Sequence, residues 1–251
     1  MDGFFWLQDL KSRPNRFLKP VRSRLVSCRL EPVRSRNLAE ACQVLSKSIY
    51  LAFMKSEVLK ADTFFHYYNR GNNRENIFRE EANYFYFLGL VKKYLIPVAD
   101  FYSYCLLPNH FHFVLRVKDE DELPPEYLDG GRKLSQPFAN MFNAYTKAFN
   151  KMYQRQGSLF QEHPKRQRID NDAYLRNLIL YVNTNSSHHA MADYETYPYS
   201  SYEALISNGK TALKRDEVIN LFENVASLKA CMADKNRAIE ALQGWMLEDE
   251  D

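Results

Sequence analysis

The spacing of hydrophobic and polar residues predicts strands and helices in a regular order. Aromatic and alternating runs predict four strands, and apolar residues at helical spacing predict three helices. In chain order these are the strand 63–70, the helix 80–95, the strand 98–107, the strand 110–117, the helix 134–156, the strand 158–169 and the helix 173–185. The order β-α-β-β-α-β, followed by a further helix, predicts an α+β fold with a ferredoxin-like, four-stranded antiparallel sheet and two helices on one face.

The strand 110–117 carries two of the chain's six histidines, two residues apart. Because side chains alternate along a strand, His110 and His112 lie on one face. The other face is an unbroken apolar row of Phe111, Phe113, Leu115 and Val117. We expect the apolar row to pack on helices and the histidine face to be open or partly open. Two neutral imidazoles on such a face can share one divalent metal ion, and the alternative is a surface that carries two histidines without a ligand.

Composition limits the class of protein. With 251 residues, of which 45% are hydrophobic and 14% aromatic, the chain has enough apolar sequence for one folded domain with appendages. It contains no apolar run of about 18 residues, so no membrane span is predicted. Its four cysteines include no CxxC pair, which excludes the usual zinc-finger spacing and predicts a reduced, cytoplasmic protein.

The net charge of +3 is spread unevenly along the chain. Residues 1–53 hold ten Lys/Arg against four Asp/Glu, and we interpret them as an N-terminal extension with Met54 as the natural start. A basic DNA-binding arm is the alternative for this segment. Residues 54–205 are the predicted domain, and residues 206–251 are a predicted helical extension with an acidic tail. Since the net charge is small, a nucleic-acid partner has to be argued from local clusters such as HPKRQR at 163–168.

The helix 173–185 offers groups that can complete a metal-assisted reaction. Tyr181 and Asn185 are four residues apart, so they lie on one helical face. An amide oxygen of Asn185 can join two imidazoles at a hard cation, which puts Tyr181 one turn from the metal. A phenol ionises near pH 10 and is a weak nucleophile alone, but it can attack a metal-polarised phosphodiester and form a phosphotyrosine. The alternative is that Tyr181 is a core aromatic, one of 17 tyrosines.

Five segments of the chain resemble one family. His110-Phe-His112 fits the histidine–hydrophobe–histidine (HUH) signature of single-tyrosine endonucleases, and the surrounding sequence is similar to the REP-associated tyrosine transposases, relatives of small insertion-sequence transposases. In chain order the matching segments are HYYNRGNNRENIF (66–78), LLPNHFHFVL (106–115), FNKMYQRQGSLFQ (149–161), YVNTN (181–185) and YPYSSYEAL (197–205). Each segment is weak by itself, and their common order makes the resemblance specific.

The resemblance implies a role for each matching residue. His110 and His112 fall on the family's metal-binding histidines, with Mg²⁺ or Mn²⁺ as the expected ion, and Asn185 falls on the third ligand. Tyr181 falls on the nucleophile. Tyr145 is the weaker candidate, because it lies on the helix before the fourth strand, whereas the family's tyrosine lies on the helix after it.

Two positions depart from the family's pattern. Ser186 stands where the family usually has a proline, and Asn183 stands where it usually has a histidine. Without the proline the helix can run on and shift Asn185, which bears on activity and not on the fold.

Members of this family nick single-stranded DNA beside short hairpins, leaving a 5′-phosphotyrosine on the enzyme and a free 3′-hydroxyl that allows strand transfer. The resemblance therefore implies single-stranded or hairpin DNA as the partner of a monomer or homodimer in the bacterial cytoplasm, at the nucleoid. The expected DNA contacts are Arg70, Arg74, Lys165, Arg166 and Arg168. Two alternatives stay open: a ferredoxin-like module that binds single-stranded nucleic acid without catalysis, and a metal-dependent hydrolase that uses water.

Overall fold

A four-stranded antiparallel sheet with the order β2-β3-β1-β4 forms the centre of the protein. The structure is a computed structural model that describes residues 57–128 and 131–248, with side chains as far as residue 237. The strands are β1 (Thr63–Arg70), β2 (Ala99–Leu107), β3 (His110–Val117) and β4 (Lys165–Ile169). The last five residues of the predicted strand 158–169 form β4, and they follow Pro164, which has no N–H to donate to a strand. Before Pro164, the backbone N–H of Gln161 donates to the Arg70 carbonyl at 2.9 Å.

Seven α-helices lie within the described residues. They are α1 (Glu81–Tyr94), α2 (Gln136–Met152), α3 (Asp172–Asn183), α4 (Asn185–His188), α5 (Tyr202–Ile206), α6 (Arg215–Leu221) and α7 (Val225–Glu248). The expected mixture of helices with a four-stranded antiparallel sheet is confirmed. The start of α3 follows from its sequence, because the side chain of Asn171 accepts a hydrogen bond from the backbone N–H of Tyr174.

The apolar face of the sheet packs on α1 and α2, as the alternation along β3 predicts. The Phe87 ring of α1 lies 5.3 Å from the ring of Phe111 and 6.2 Å from that of Phe113, measured between centroids. On the neighbouring strand, Tyr67 stacks on Phe138 of α2 at 4.6 Å. This side is therefore a layer of buried aromatic rings, which contribute large apolar area to the core.

The opposite, histidine-bearing face is covered more completely than expected. Helix α3 packs against β2 and β3, and His112 is only 7% exposed. The expectation of an open face is wrong at His112; the face stays partly open at His110, which is half-buried. The physical reason is the apolar stripe of α3, in which Ile179 and Val182 are fully buried and have to cover part of the sheet.

Helix α3 ends at Asn183, two residues before the end of the predicted helix, although position 186 is a serine and not the proline that the resemblance predicts. Two side chains fold back on the last turn: the amide nitrogen of Asn183 donates to the Ile179 carbonyl, and the Thr184 hydroxyl donates to the Leu180 carbonyl. Hydrogen bonds from side chains to preceding carbonyls compete with the helical pattern and favour a bend. The chain turns at Thr184, and α4 begins at Asn185.

The described helices after residue 205 pack beside α3 and β2. The backbone N–H of Lys214 donates to the Phe101 carbonyl, and the Lys214 ammonium lies 3.4 Å from the Asp100 carboxylate. The boundary at residue 205 stays a prediction. The extension 1–53, the proposed start at Met54 and the end of the acidic tail lie outside the described residues. No helix in the described part is long and apolar enough to cross a bilayer.

Candidate active site

Two buried histidines from neighbouring strands meet beneath α3. The Nε2 atom of His66 on β1 lies 2.9 Å from the Nδ1 atom of His112 on β3, a hydrogen-bonding distance. The Tyr68 ring stacks on both imidazoles, at 4.5 Å from His66 and 5.5 Å from His112. The three rings form a packed layer that fixes the position of His112.

His110 occupies the more exposed end of the same face. Its Nδ1 atom lies 2.6 Å from the amide oxygen of Asn109, and its ring lies 5.2 Å from that of His112. A second neighbour is His189, whose exposed ring lies 4.9 Å from His110. Because an amide oxygen can only accept, the Nδ1 atom of His110 carries the proton and its Nε2 atom keeps a lone pair.

The histidines on this face are neutral near pH 7. Burial lowers the pKa of His66 to about 3, and burial followed by the charges of His189 and Arg70 lowers the pKa of His110 to about 3. Burial also holds the pKa of His112 well below its ordinary value. Neutral imidazole is the form that binds metals.

Tyr181 lies against this cluster. Its ring is 5.9 Å from that of His112 and 5.6 Å from that of His188. Burial raises the pKa of the Tyr181 phenol, the Asn185 amide opposes that shift, and Cys105 adds to it. The phenol therefore carries its proton at neutral pH and has to lose it during any attack on a substrate.

Asn185 is the third predicted ligand, and its side chain is fully buried. Neither its amide oxygen nor its amide nitrogen forms a hydrogen bond of normal geometry, although the amide approaches the Tyr181 phenol closely enough to lower its pKa. A buried amide without a partner costs about 1–3 kcal/mol, so such a group needs a reason.

His110, His112 and Asn185 carry donor groups of the types that bind divalent cations. Two neutral imidazoles and one unsatisfied amide oxygen suit Mn²⁺ or, more weakly, Mg²⁺. Within residues 57–128 and 131–248, no three His, Cys, Asp or Glu side chains are arranged to hold one ion. A metal at this position thus depends on the amide as its third protein ligand.

Tyr145, the weaker candidate for the nucleophile, is in the core. It is 1% exposed, and its hydroxyl donates to the Ile77 carbonyl at 2.5 Å. Its ring packs on Phe78 and Phe87, on the side of the sheet covered by α1 and α2. A hydroxyl already committed to a buried carbonyl cannot reach a substrate without disrupting the core.

Comparisons with known proteins include a distant structural similarity. No family model matches the chain, and no curated protein matches it. A solved structure of a REP-associated tyrosine transposase bound to a REP hairpin is similar with a TM-score of 0.46 and 16% sequence identity, over 62% of this chain and 86% of that one. The likeness is distant.

The predicted DNA contacts are divided between the two faces of the sheet. Arg70 pairs with His110 across β1 and β3, so both lie on the histidine face, and the Nε atom of Arg70 is buried without a hydrogen bond. Lys165 lies opposite Tyr68 on the same face. Arg74 is exposed in the turn that follows β1.

The side of the sheet covered by α1 and α2 carries Arg166, which lies opposite Tyr67, and Arg168, which lies opposite Phe65. Arg168 forms an ion pair with Asp170 at 2.8 Å, between two exposed side chains. Strand β4 is an edge strand, so its two faces meet at one rim of the sheet.

Three histidines near the site were missed by the sequence analysis. His66 was overlooked because its pairing with His112 depends on the register between two strands. His188 and His189 come after the predicted helix, and the bend at Thr184 turns them back towards Tyr181 and His110. His66 is the first residue of the segment 66–78 that resembles the family, but no role was assigned to it; for His188 and His189 the available signal was their residue type.

A second polar cluster anchors the end of α3 to the sheet. The amide nitrogen of Asn183 donates to the Ser103 hydroxyl of β2 at 2.9 Å, and its amide oxygen accepts from the Ser201 hydroxyl at 2.7 Å. All three side chains are fully buried. Asn183, at a position where the resemblance predicts a histidine, thus has hydrogen-bond partners for both atoms of its amide and fixes the turn of α3 that carries Tyr181.

Proposed function

We propose that this protein is a metal-dependent, single-strand DNA endonuclease and strand transferase that acts at hairpin DNA with Tyr181 as its nucleophile. The observation that carries the proposal is the grouping of the Tyr181 phenol with His112 and the unsatisfied Asn185 amide beneath one face of the sheet. The resemblance of five segments to the REP-associated tyrosine transposases supplies the substrate class.

The reaction follows from the groups present. The Tyr181 oxygen attacks the phosphorus of a phosphodiester, forms a bond to it, and breaks the bond between phosphorus and the 3′-oxygen. The phenolic proton is transferred, in net terms, to the departing 3′-oxygen. The products are a 5′-phosphotyrosine and a 3′-hydroxyl, and attack by a second 3′-hydroxyl reverses the step and joins a new strand without a nucleotide cofactor.

His110, His112 and Asn185 would hold a Mg²⁺ or Mn²⁺ ion, which when bound supplies charge that polarises the phosphodiester. Residues of the chain itself position the ligands and contact the phosphate. The turn at Thr184 keeps Asn185 beside Tyr181, and burial keeps both imidazoles neutral and able to bind. Arg70, beside His110 and with a buried Nε lacking a partner, is suited to contact a phosphate oxygen.

The DNA contacts belong to the same proposal. Arg70, Arg74 and Lys165 would bind the strand on the histidine face, and Arg166 and Arg168 would bind DNA that passes around the β4 edge. The strand order β2-β3-β1-β4 with helices after β1 and β3 also supports our proposal that the fold is ferredoxin-like.

The test is the covalent adduct. The full chain is incubated with end-labelled, hairpin-containing single-stranded DNA and Mg²⁺ or Mn²⁺, and the products are separated on a denaturing gel with and without a chelator. We expect a labelled protein–DNA adduct and a nick that both need the metal. Binding without a nick would instead support the module that only binds nucleic acid, and a nick without an adduct would support a hydrolase that uses water.

A further inference from the structure

The hydrogen bond between His66 and His112 raises a question about where its proton lies. Both rings are buried, with exposed fractions of 8% and 7%, and only one proton can sit between the His66 Nε2 and His112 Nδ1 atoms. Two neutral imidazoles form such a bond only when one ring supplies the N–H and the other a lone pair. The bond therefore couples the tautomers of the two residues.

The two arrangements have opposite consequences for His112. If His112 donates from Nδ1, its Nε2 atom keeps a lone pair and can bind a ligand ion. If His66 donates from Nε2, then His112 carries its proton on Nε2 and has no lone pair left, because its Nδ1 is already accepting. The partner of a histidine's second nitrogen commonly decides which nitrogen is available to a metal.

The neighbouring histidine shows which arrangement the site favours. The amide oxygen of Asn109 can only accept, so His110 carries its proton on Nδ1 and offers Nε2. His112 lies two residues away on the same face. Its Nδ1 atom also lies at hydrogen-bonding distance from a partner, which here is the His66 imidazole and not an amide. Since the Nδ1 atom of each ring already has a partner, an ion shared by the two rings has to bind their Nε2 atoms.

We propose that His66 is a positioning residue: its Nε2 atom accepts from the Nδ1–H of His112 and so presents the Nε2 of His112, alongside that of His110, to one ligand ion. This inference rests on the proposed function, in which these two histidines bind the metal. His66 itself contacts no substrate. Stacking alone does not require an imidazole here, since a phenyl ring can stack on Tyr68 as well.

The direct test needs neither metal nor DNA. Nitrogen-15 NMR of the full, metal-free chain reads which ring nitrogen of His112 is protonated, with the signals assigned by comparison with His112→Gln. We expect a protonated Nδ1 and an unprotonated Nε2. Protonation on Nε2 would overturn the inference, whatever the nuclease assay gives.

Two variants test the consequence for metal binding, measured as Mn²⁺ titration of the full chain without DNA. His66→Phe keeps the ring but cannot accept, so we expect Mn²⁺ affinity to fall about 10- to 100-fold. His66→Gln places an amide near the position of Nε2, and we expect it to restore affinity to within about threefold. Tyr67→Phe, which alters the opposite face of the same strand, is the matched control and should bind as the wild type does.

The outcomes separate this inference from the proposed function. Equal Mn²⁺ affinity in wild type and in folded His66→Phe overturns the inference and leaves the nuclease proposal standing. Absence of any DNA adduct in the wild type overturns the nuclease proposal, while the His112 tautomer still decides the positioning role. If His66→Phe does not fold, the wild-type NMR measurement and His66→Gln carry the test.

Discussion

Both faces of the sheet hold buried side chains, but the two faces are built from different chemistry. On the face covered by α1 and α2, Phe111 and Phe113 of β3 pack against Phe87 of α1. On the face beneath α3, the same strand places His112 against His66 and Tyr181. A phenyl ring needs only close contact, whereas a buried imidazole or amide needs a hydrogen-bond partner in a defined direction.

This difference separates stability from function. The aromatic face stabilises the fold by burying apolar area, and this stabilisation changes little when one side chain shifts slightly. The histidine face holds its polar groups through directed hydrogen bonds such as His66 to His112 and Asn183 to Ser103. Loss of one such contact changes the geometry or tautomer of a neighbour, so changes on this face should alter chemistry more than they alter folding.

The largest expected effect compares one tyrosine from each face. Tyr181→Phe should abolish the covalent adduct and the nick, because the attacking oxygen is gone, while the ring still packs beside His112. Tyr145→Phe should keep adduct formation and lose about 1 kcal/mol of unfolding free energy, because the Ile77 carbonyl loses its buried donor. Denaturing gels and urea unfolding measure the two quantities. An adduct that survives in Tyr181→Phe and disappears in Tyr145→Phe would reverse the assignment.

The second comparison substitutes two adjacent residues of β3, one from each face. Phe113→Ala should cost about 3–5 kcal/mol of unfolding free energy, because it removes a fully buried ring and leaves a cavity. His112→Gln should cost about 1–2 kcal/mol and abolish metal-supported adduct formation. Thermal unfolding and the adduct assay are run on both variants. Equal loss of stability in the two, with adduct retained in His112→Gln, would make His112 a core residue.

Gln is preferred to Ala at this position for a reason that the sequence did not show. On an open face His112→Ala would leave folding nearly intact, but His112 is buried and hydrogen-bonded to His66, so Ala would leave a cavity and an unpaired imidazole. The alternation of side chains along β3 was predictable because it is local to eight residues. What covers the histidine face was not, because it depends on where α3 packs.

The candidate site, too, was predictable where its contacts are between residues close in sequence, and not where they depend on strand register. Spacing along the chain and the family resemblance singled out Tyr181 and Asn185, which do lie together one turn apart. His66 begins one of the segments that resemble the family, but its contact with His112 could not be predicted, because the two residues are 46 positions apart and the register of β1 against β3 decides the contact. Alternation alone places the neighbours Lys165 and Arg166 on opposite faces, but which face each takes depends on the register of β4.

A smaller effect is expected from the cluster that anchors α3. Asn183→Ala removes a side chain with three buried hydrogen bonds, to Ser103, Ile179 and Ser201, and should cost about 2 kcal/mol. It should also slow adduct formation at saturating DNA without weakening DNA binding, because the turn carrying Tyr181 is less well fixed. Single-turnover rates and a binding titration separate the two effects. The matched control is Asn150→Ala on α2, which should leave the rate unchanged.

The smallest effect concerns the rim where the two faces meet. Arg155, after α2, holds Glu75 in the turn after β1 through hydrogen bonds of 2.9 and 3.0 Å, and this turn also carries Arg74. Hydrogen bonding and charge from Arg155, with a further contribution from Arg79, hold the pKa of Glu75 below its ordinary value of 4.5, against the opposing effect of burial. A carboxylate with a lowered pKa stabilises the folded state fully above its unfolded pKa and loses that contribution as the pH falls below it.

Arg155→Ala should therefore destabilise the protein by about 1 kcal/mol at pH 7, and the difference from wild type should shrink as the pH falls below 4.5. Urea unfolding at pH 7, 5 and 3.5 measures this difference, and added salt should reduce it at pH 7 because the pair is partly exposed. Arg168→Ala is the matched control: its partner Asp170 is largely exposed, so no measurable change is expected at any of these pH values. A difference for Arg155→Ala that stays constant from pH 7 to 3.5 would show that the arginine acts through packing and its hydrogen bonds to Asn150 and Ser158, and not through the charge of Glu75.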